Sequence, residues 1–226
     1  MCSYQKIRNK VLNNYFILNK NKIFFLPKNF ISSQHLYQHF LHNKELDYCS
    51  EIKNDTSRLE YLNSRLLFRI LAPNSPPMIR TPINHKIHNS SIHSNGSLSH
   101  KNGHVIGALT DKTHSIGIDL EIIKKKNLKT LRKKICSEKE SDVLTSINTK
   151  KIGLSDDDIT LLVFSFKESV YKCYQPLEKK HLDFHDCEIN NICFDKKEIS
   201  ARLANSENYK KNILGHFYFL TLEKSN

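Results

Sequence analysis

Asp119 and Glu121 stand two residues apart in an otherwise aliphatic stretch, SIGIDLEI, residues 115–122. A β-strand sends residues i and i+2 to the same side. Ile116, Ile118, Leu120 and Ile122 then form one apolar face, and Gly117, Asp119 and Glu121 form the other. The apolar face predicts a strand over 115–123. The acidic face has two readings. It is the wet side of an edge strand, or it is a pair of carboxylates on rigid backbone, suited to a hard cation such as Mg²⁺. Gly117 beside them would let backbone or ligand approach closely.

A second cluster is FSFKESVYKC, residues 164–173. At helical spacing Val163, Phe166, Val170 and Tyr174 share an apolar stripe, while Glu168 and Lys172 stack four apart on the polar face. Taken alone, that pair is an ordinary surface salt bridge. Alternatively Glu168 supplies a third oxygen to the cation and Lys172 faces phosphate. Mg²⁺ is held by few carboxylates, waters and substrate phosphate oxygens. Phosphoryl transfer calls for such an ion with basic groups beside it. The third piece is GSLSH, residues 96–100, a Gly-Ser turn before a strand whose N–H groups and hydroxyls offer an anion seat. His100 binds phosphate there or satisfies a buried carbonyl; with 12 histidines in the chain, its type alone does not single it out.

The elements that must hold these residues are legible in outline. TSRLEYLNSRLLFRILA, 56–72, predicts a helix capped by Thr56 or Ser57, with Leu59, Leu62, Leu66 and Ile70 on one face. PNSPP ends it, and a loop rich in Pro, Asn, Ser and His follows over 73–95. HVIGALT, 104–110, predicts a strand. Residues 124–150 are mostly helical and basic, with Ser137 and Glu140 forming a capping box. GLSDDD turns into a helix over about 157–174, and strands follow at EINNICF, EISARLA and HFYFLTLEK. The order lacks βαβ regularity and predicts an α+β fold. Residues 1–50 show only short aromatic patches in polar sequence.

Bulk properties bound the function. The 226 residues suit one compact unit or two small lobes. No apolar run approaches the ~20 residues of a membrane span, and the start lacks the apolar core of a signal peptide. Six cysteines, at 2, 49, 136, 173, 187 and 193, form no CxxC pair, as expected of reduced thiols in a cytoplasmic protein. Cys187 and Cys193 with His181 and His185 match no common zinc-finger spacing. The net charge of +12 favours a polyanionic partner: nucleic acid, anionic lipid, a phosphorylated cofactor or an acidic protein.

In order and spacing, GSLSH, IGIDLE and FSFKESVYK resemble the 4′-phosphopantetheinyl transferases, and most closely the enterobactin-synthetase component D branch, related to the surfactin-type enzymes. ICSEKESDVL, 135–144, resembles the segment between the last two blocks, and EYLNSRLLFRILA resembles the family's arginine helix. The likeness covers about residues 55–225. It implies two similar, pseudo-symmetric α+β lobes, 1–115 and 116–226, with the active site between them. It implies transfer of the phosphopantetheine arm of coenzyme A to a serine of an acyl, aryl or peptidyl carrier protein. The other product would be adenosine 3′,5′-bisphosphate. Asp119, Glu121 and Glu168 would hold Mg²⁺, with Mn²⁺ as a substitute, and Glu168 would be the general base. Lys172 would contact the pyrophosphate and assist the leaving group. Ser99, His100, Lys86, Arg65 and Arg58 would contact coenzyme A, with His100 and Lys86 at the 3′-phosphate. Phe164 stands where surfactin-type relatives carry a tryptophan. The basic stretch 124–134 would dock an acidic carrier, and a monomer is expected. Siderophore, nonribosomal peptide and polyketide synthesis are the expected settings.

Two other classes fit the charge. Metal-dependent nucleases of the D…[DE]-x-K type need a lysine two residues after the second acid, whereas Glu121 is followed by Ile122, Ile123 and only then Lys124. A basic nucleic-acid-binding module would leave both acidic blocks idle, and it lacks the interleaved aromatics and glycines such sheets carry.

Overall fold

HVIGALT forms an inner strand of an antiparallel sheet, with Val105, Ile106, Gly107 and Ala108 buried in an unbroken run. The computed structural model describes residues 3–18, 21–28, 30, 34–73, 77, 95–110, 114–124, 127–178, 182–203 and 212–219. The chain divides into two compact units: residues 1–122 with Lys172–Tyr174, and residues 123–171 with 175–226. Each mixes helix and sheet, as the α+β expectation requires. Among the described residues no helix is long and apolar enough to cross a membrane.

In the first unit the strands are β1 (Tyr15–Leu18), β2 (Asn21–Leu26), β3 (Asn95–Lys101) and β4 (His104–Thr110). They pair in the order β1-β2-β4-β3, antiparallel throughout. GSLSH is therefore part of a strand, not a turn ahead of one. The turn lies at Asn102 and Gly103, both with positive φ (53° and 86°), the two-residue geometry an Asn-Gly pair favours.

Helix α1 (Ser3–Asn13), α2 (Asn43–Glu51) and α3 (Asp55–Leu71) complete this unit. Asn54, rather than Thr56 or Ser57, caps α3: its side chain accepts from the Ser57 N–H at 2.9 Å. Leu66 and Leu67 of α3 are fully buried in a core with Leu26 and Val105. A Cβ at Gly107 would lie 2.8 Å from side-chain carbons of Leu67 and Leu98, so the glycine permits the close approach of α3 to the sheet. Inside the unit Arg69 meets Glu45 at 2.9 Å, both almost fully buried.

Burial, with the Lys28 ammonium added, pulls the His104 imidazole below its ordinary 6.5. The Lys28 N–H donates to Nδ1 of His104 at 3.2 Å, so the neutral ring is the form the fold uses. A group with a lowered folded-state pKa contributes stability that is complete above its unfolded value and declines as pH falls through it. The thermal midpoint is expected to drop between about pH 7 and pH 5. His104→Asn keeps an acceptor and cannot protonate there, so its drop should be smaller; equal drops in a fluorimetric melt series would refute the assignment.

Residues 114–124 differ from the sequence expectation: they belong to no strand ladder. They lie on the sheet face formed by Ile23, Ile106 and Ala108, against which Ile116, Ile118 and Leu120 pack. The two-residue alternation persists without ladder pairing, because the segment covers a face instead of extending an edge. This packing joins 116–122 to the first unit, whereas the division drawn from the sequence lies at 115/116.

The second unit holds α4 (Lys129–Ile135), α5 (Glu138–Thr145), α6 (Thr149–Ile152), most of α7 (Asp156–Glu178), and β5 (Cys187–Cys193), β6 (Glu198–Leu203) and β7 (Asn212–His216) in the order β5-β6-β7. The Ser137–Glu140 capping box opens α5 as expected. Val163, Phe166 and Val170 are buried, as the helical stripe predicts. Phe164 packs on Phe184 with ring centroids 5.7 Å apart. The last strand among the described residues is Asn212–His216, so of the expected HFYFLTLEK strand His216 is in a strand and 217–219 are not. Its ladder with β6 ends at Glu198↔His216, where β6 itself begins, and residues 220–226 lie outside the described ones.

Candidate active site

Three sequence blocks meet in one hydrogen-bonded cluster of the first unit. Ser99 comes from β3, Asp119 from the covering segment, and Lys172 from the turn of α7 that belongs to this unit. Lys172 Nζ donates to Asp119 Oδ1 at 2.6 Å and to Ser99 Oγ at 3.0 Å. The Ser99 hydroxyl donates to the same Oδ1 at 2.8 Å and accepts the Leu120 N–H at 3.2 Å. One donor and two lone pairs are thereby used, the full capacity of a hydroxyl. Ser97, two residues back on the same face, accepts the Ile118 N–H at 3.0 Å.

Asp119 is the anionic centre of this cluster, with its side chain 6% exposed. Its second oxygen, Oδ2, is buried and has no hydrogen-bond partner among the described residues. Buried polar atoms are nearly always satisfied, so an open carboxylate oxygen here is the kind of donor a hard cation takes. Glu121 points the same way along the segment and pairs with Lys101 Nζ at 2.9 Å. Among the described residues no three His, Cys, Asp or Glu side chains are grouped to hold a metal ion. Mg²⁺ does not need three: one or two carboxylates plus substrate phosphate oxygens suffice. Asp119 and Glu121 fit that pattern.

Ser99 and His100, adjacent in the strand, face opposite sides of the sheet. His100 Nδ1 lies 3.1 Å from Glu60 Oε2 on α3, and Glu60 Oε1 accepts the Gly103 N–H at 3.0 Å. The ring stays about one-third exposed. Arg65 is 5% exposed, its guanidinium 4.5 Å over the Tyr61 ring. Arg58 pairs with Asp55 on the surface of α3. Lys86 lies outside the described residues.

Glu168 is in the second unit, half-buried on α7, and lines a cleft of about 370 Å³ with Tyr171, Leu182 and Phe184. Cys187 lines it too; burial pushes its thiol up to about 12, so it stays protonated and is not a nucleophile. Lys167, beside Glu168, points inward. Its ammonium donates to the carbonyls of Ile135 (2.6 Å) and Phe184 (3.0 Å) and meets Glu140 Oε1 at 2.6 Å.

Sequence reading missed Ser97, Glu60, Lys101 and Lys167, and found Glu140 only as a helix cap. Strand alternation could have found Ser97, which shares the face of Ser99. Glu60 and Glu140 are partners made by folding across 40 and 49 residues, with no local signal.

Residues 115–220 match the family model of the 4′-phosphopantetheinyl transferase superfamily. The match spans the acidic segment and the KESVYK block and begins after β3 and α3. No curated protein matches the chain. The similarity is thus to that superfamily over the second half of the chain, from residue 115 to residue 220.

Proposed function

We propose that the protein transfers 4′-phosphopantetheine from coenzyme A to a serine of an apo carrier protein or carrier domain. The observation that carries this reading is the meeting of Ser99, Asp119 and Lys172, one residue from each of three motif blocks, in a single cluster. Chance surface salt bridges would not bring blocks 20 and 53 residues apart from Asp119 to one carboxylate oxygen.

In this reading Asp119 and Glu121, with Glu168 as the third carboxylate, hold a divalent cation, Mg²⁺ by preference. Bound there, the ion neutralises charge on the coenzyme A pyrophosphate. Glu168 takes the proton from the carrier serine, whose oxygen forms a phosphodiester bond to the pantetheine-bearing phosphorus. The P–O bond to adenosine 3′,5′-bisphosphate breaks, and Lys172 stabilises charge on that leaving group. His100, one-third exposed, contacts the 3′-phosphate with Lys86, and Arg58 adds charge at the same side. Arg65 supports from within, under Tyr61. The basic residues of 124–134, including Arg132, Lys133 and Lys134 in the last turn of α4, meet an acidic carrier. Siderophore, nonribosomal peptide or polyketide synthesis is the proposed setting, the enzyme a cytoplasmic monomer.

The test is direct. Protein, Mg²⁺, coenzyme A and several apo carriers are incubated and the carriers weighed by mass spectrometry. A carrier gaining one phosphopantetheine is the expected product. No gain on peptidyl, aryl or acyl carriers, with coenzyme A intact, would refute the proposal.

A further inference from the structure

Segment 116–122 lies across a sheet face, and that position raises a hydrogen-bonding problem. Backbone groups of a sheet point along its plane to neighbouring strands; only side chains stand off its faces. A segment lying on a face cannot pair with the strands beneath it, and each buried N–H left open costs about 1–3 kcal/mol. Short hydroxyl side chains solve this. Ser97 and Ser99, at i and i+2, stand on the covered face. They accept the N–H groups of Ile118 and Leu120, themselves i and i+2 in the segment. Both serines are buried, at 8% and 5% exposed.

We propose that Ser97 and Ser99 form a two-point clip that docks the acidic segment on β3, and that Ser99 is in addition a positioning residue for Asp119. The two serines differ in one respect. Ser97 takes a backbone N–H alone, while Ser99 also donates to Asp119 Oδ1 and accepts from Lys172. With Oδ1 occupied by Ser99 and Lys172, the carboxylate is turned so that Oδ2 is its open oxygen. The clip stands on this geometry alone; its consequence for a cation rests on the function proposed above.

The difference between the serines supplies the test. Amide exchange is followed by NMR in metal-free protein, and Mn²⁺ binding by electron paramagnetic resonance without substrate. Ser97→Ala should speed exchange of the Ile118 amide, and Ser99→Ala that of the Leu120 amide, each about fivefold. Ser99→Ala should also weaken Mn²⁺ binding about tenfold, since a hydrogen bond to a charged group is lost. Ser97→Ala should change it less than about twofold, and Ser99→Thr, which keeps the hydroxyl, should restore it. Unchanged exchange at Leu120 in Ser99→Ala overturns the clip. Equal loss of Mn²⁺ binding in both alanine variants overturns the positioning role. If the wild type binds no Mn²⁺, the cation reading of Asp119 fails and the positioning role with it, while exchange still decides the clip.

Discussion

Glu168→Gln is expected to lower phosphopantetheine transfer by about a thousandfold or more while leaving the fold intact. Positioned general acid–base groups contribute on the order of 10²–10⁴ in rate, and here the same carboxylate is also proposed as a cation ligand. The amide is nearly isosteric, cannot take a proton at neutral pH, and is a weaker donor to a hard ion. Stability should not follow activity. α7 is anchored by Val163, Phe166, Val170 and Lys167, all buried, whereas Glu168 is half-buried beside the cleft. Turnover by carrier mass shift, paired with a circular-dichroism melt, separates the two effects. A variant that retains most of its turnover removes Glu168 from the chemistry.

The second large effect falls on folding. Glu140 is 1% exposed and fully engaged: it meets Lys167 at 2.6 Å and accepts the N–H groups of Ile189 and Ser137, each at 2.8 Å. Lys167 in turn spends its donors on Glu140 and on two carbonyls. One carboxylate and one ammonium thus tie the start of α5, the end of α4, the middle of α7 and the first residues of β5. Glu140→Ala leaves a buried ammonium without its counter-ion, a loss of about 3–5 kcal/mol. That is comparable to a large part of the whole stability of a domain. Replacing both partners, as in Glu140→Leu with Lys167→Met, should cost much less than the single change, because no charge is stranded. Urea midpoints of the three proteins decide it. If the double variant is no more stable than Glu140→Ala, the pair is not the origin of the loss.

Much of the fold could be read from the chain. The α3 periodicity, the Ser137 capping box and the stripe Val163, Phe166, Val170 are local signals, and each element formed where it pointed. SIGIDLEI illustrates where local reasoning stops. Its alternation correctly separates Ile116, Ile118 and Leu120 from Asp119 and Glu121, but alternation cannot tell a strand in a ladder from an extended segment lying on a sheet. That choice depends on Ser97 and Ser99. The Asn102–Gly103 turn was a readable hairpin signal, and it shows GSLSH as strand. Lys167 illustrates the opposite case. Lysines are almost never fully buried unless paired, and its partner lies in another helix, so nothing near it in sequence announces its direction.

The first compact unit takes Lys172–Tyr174 from a helix whose remaining residues count with the second. The two units are therefore not two consecutive lengths of chain. A fragment ending at Ile122 would contain Ser99, Asp119 and Glu121, yet it would lack the ammonium that meets the Asp119 carboxylate. A fragment starting at Ile123 would carry that ammonium with no carboxylate to meet it. Neither half should be active when expressed alone, and recovery should require both together, as in split-protein complementation.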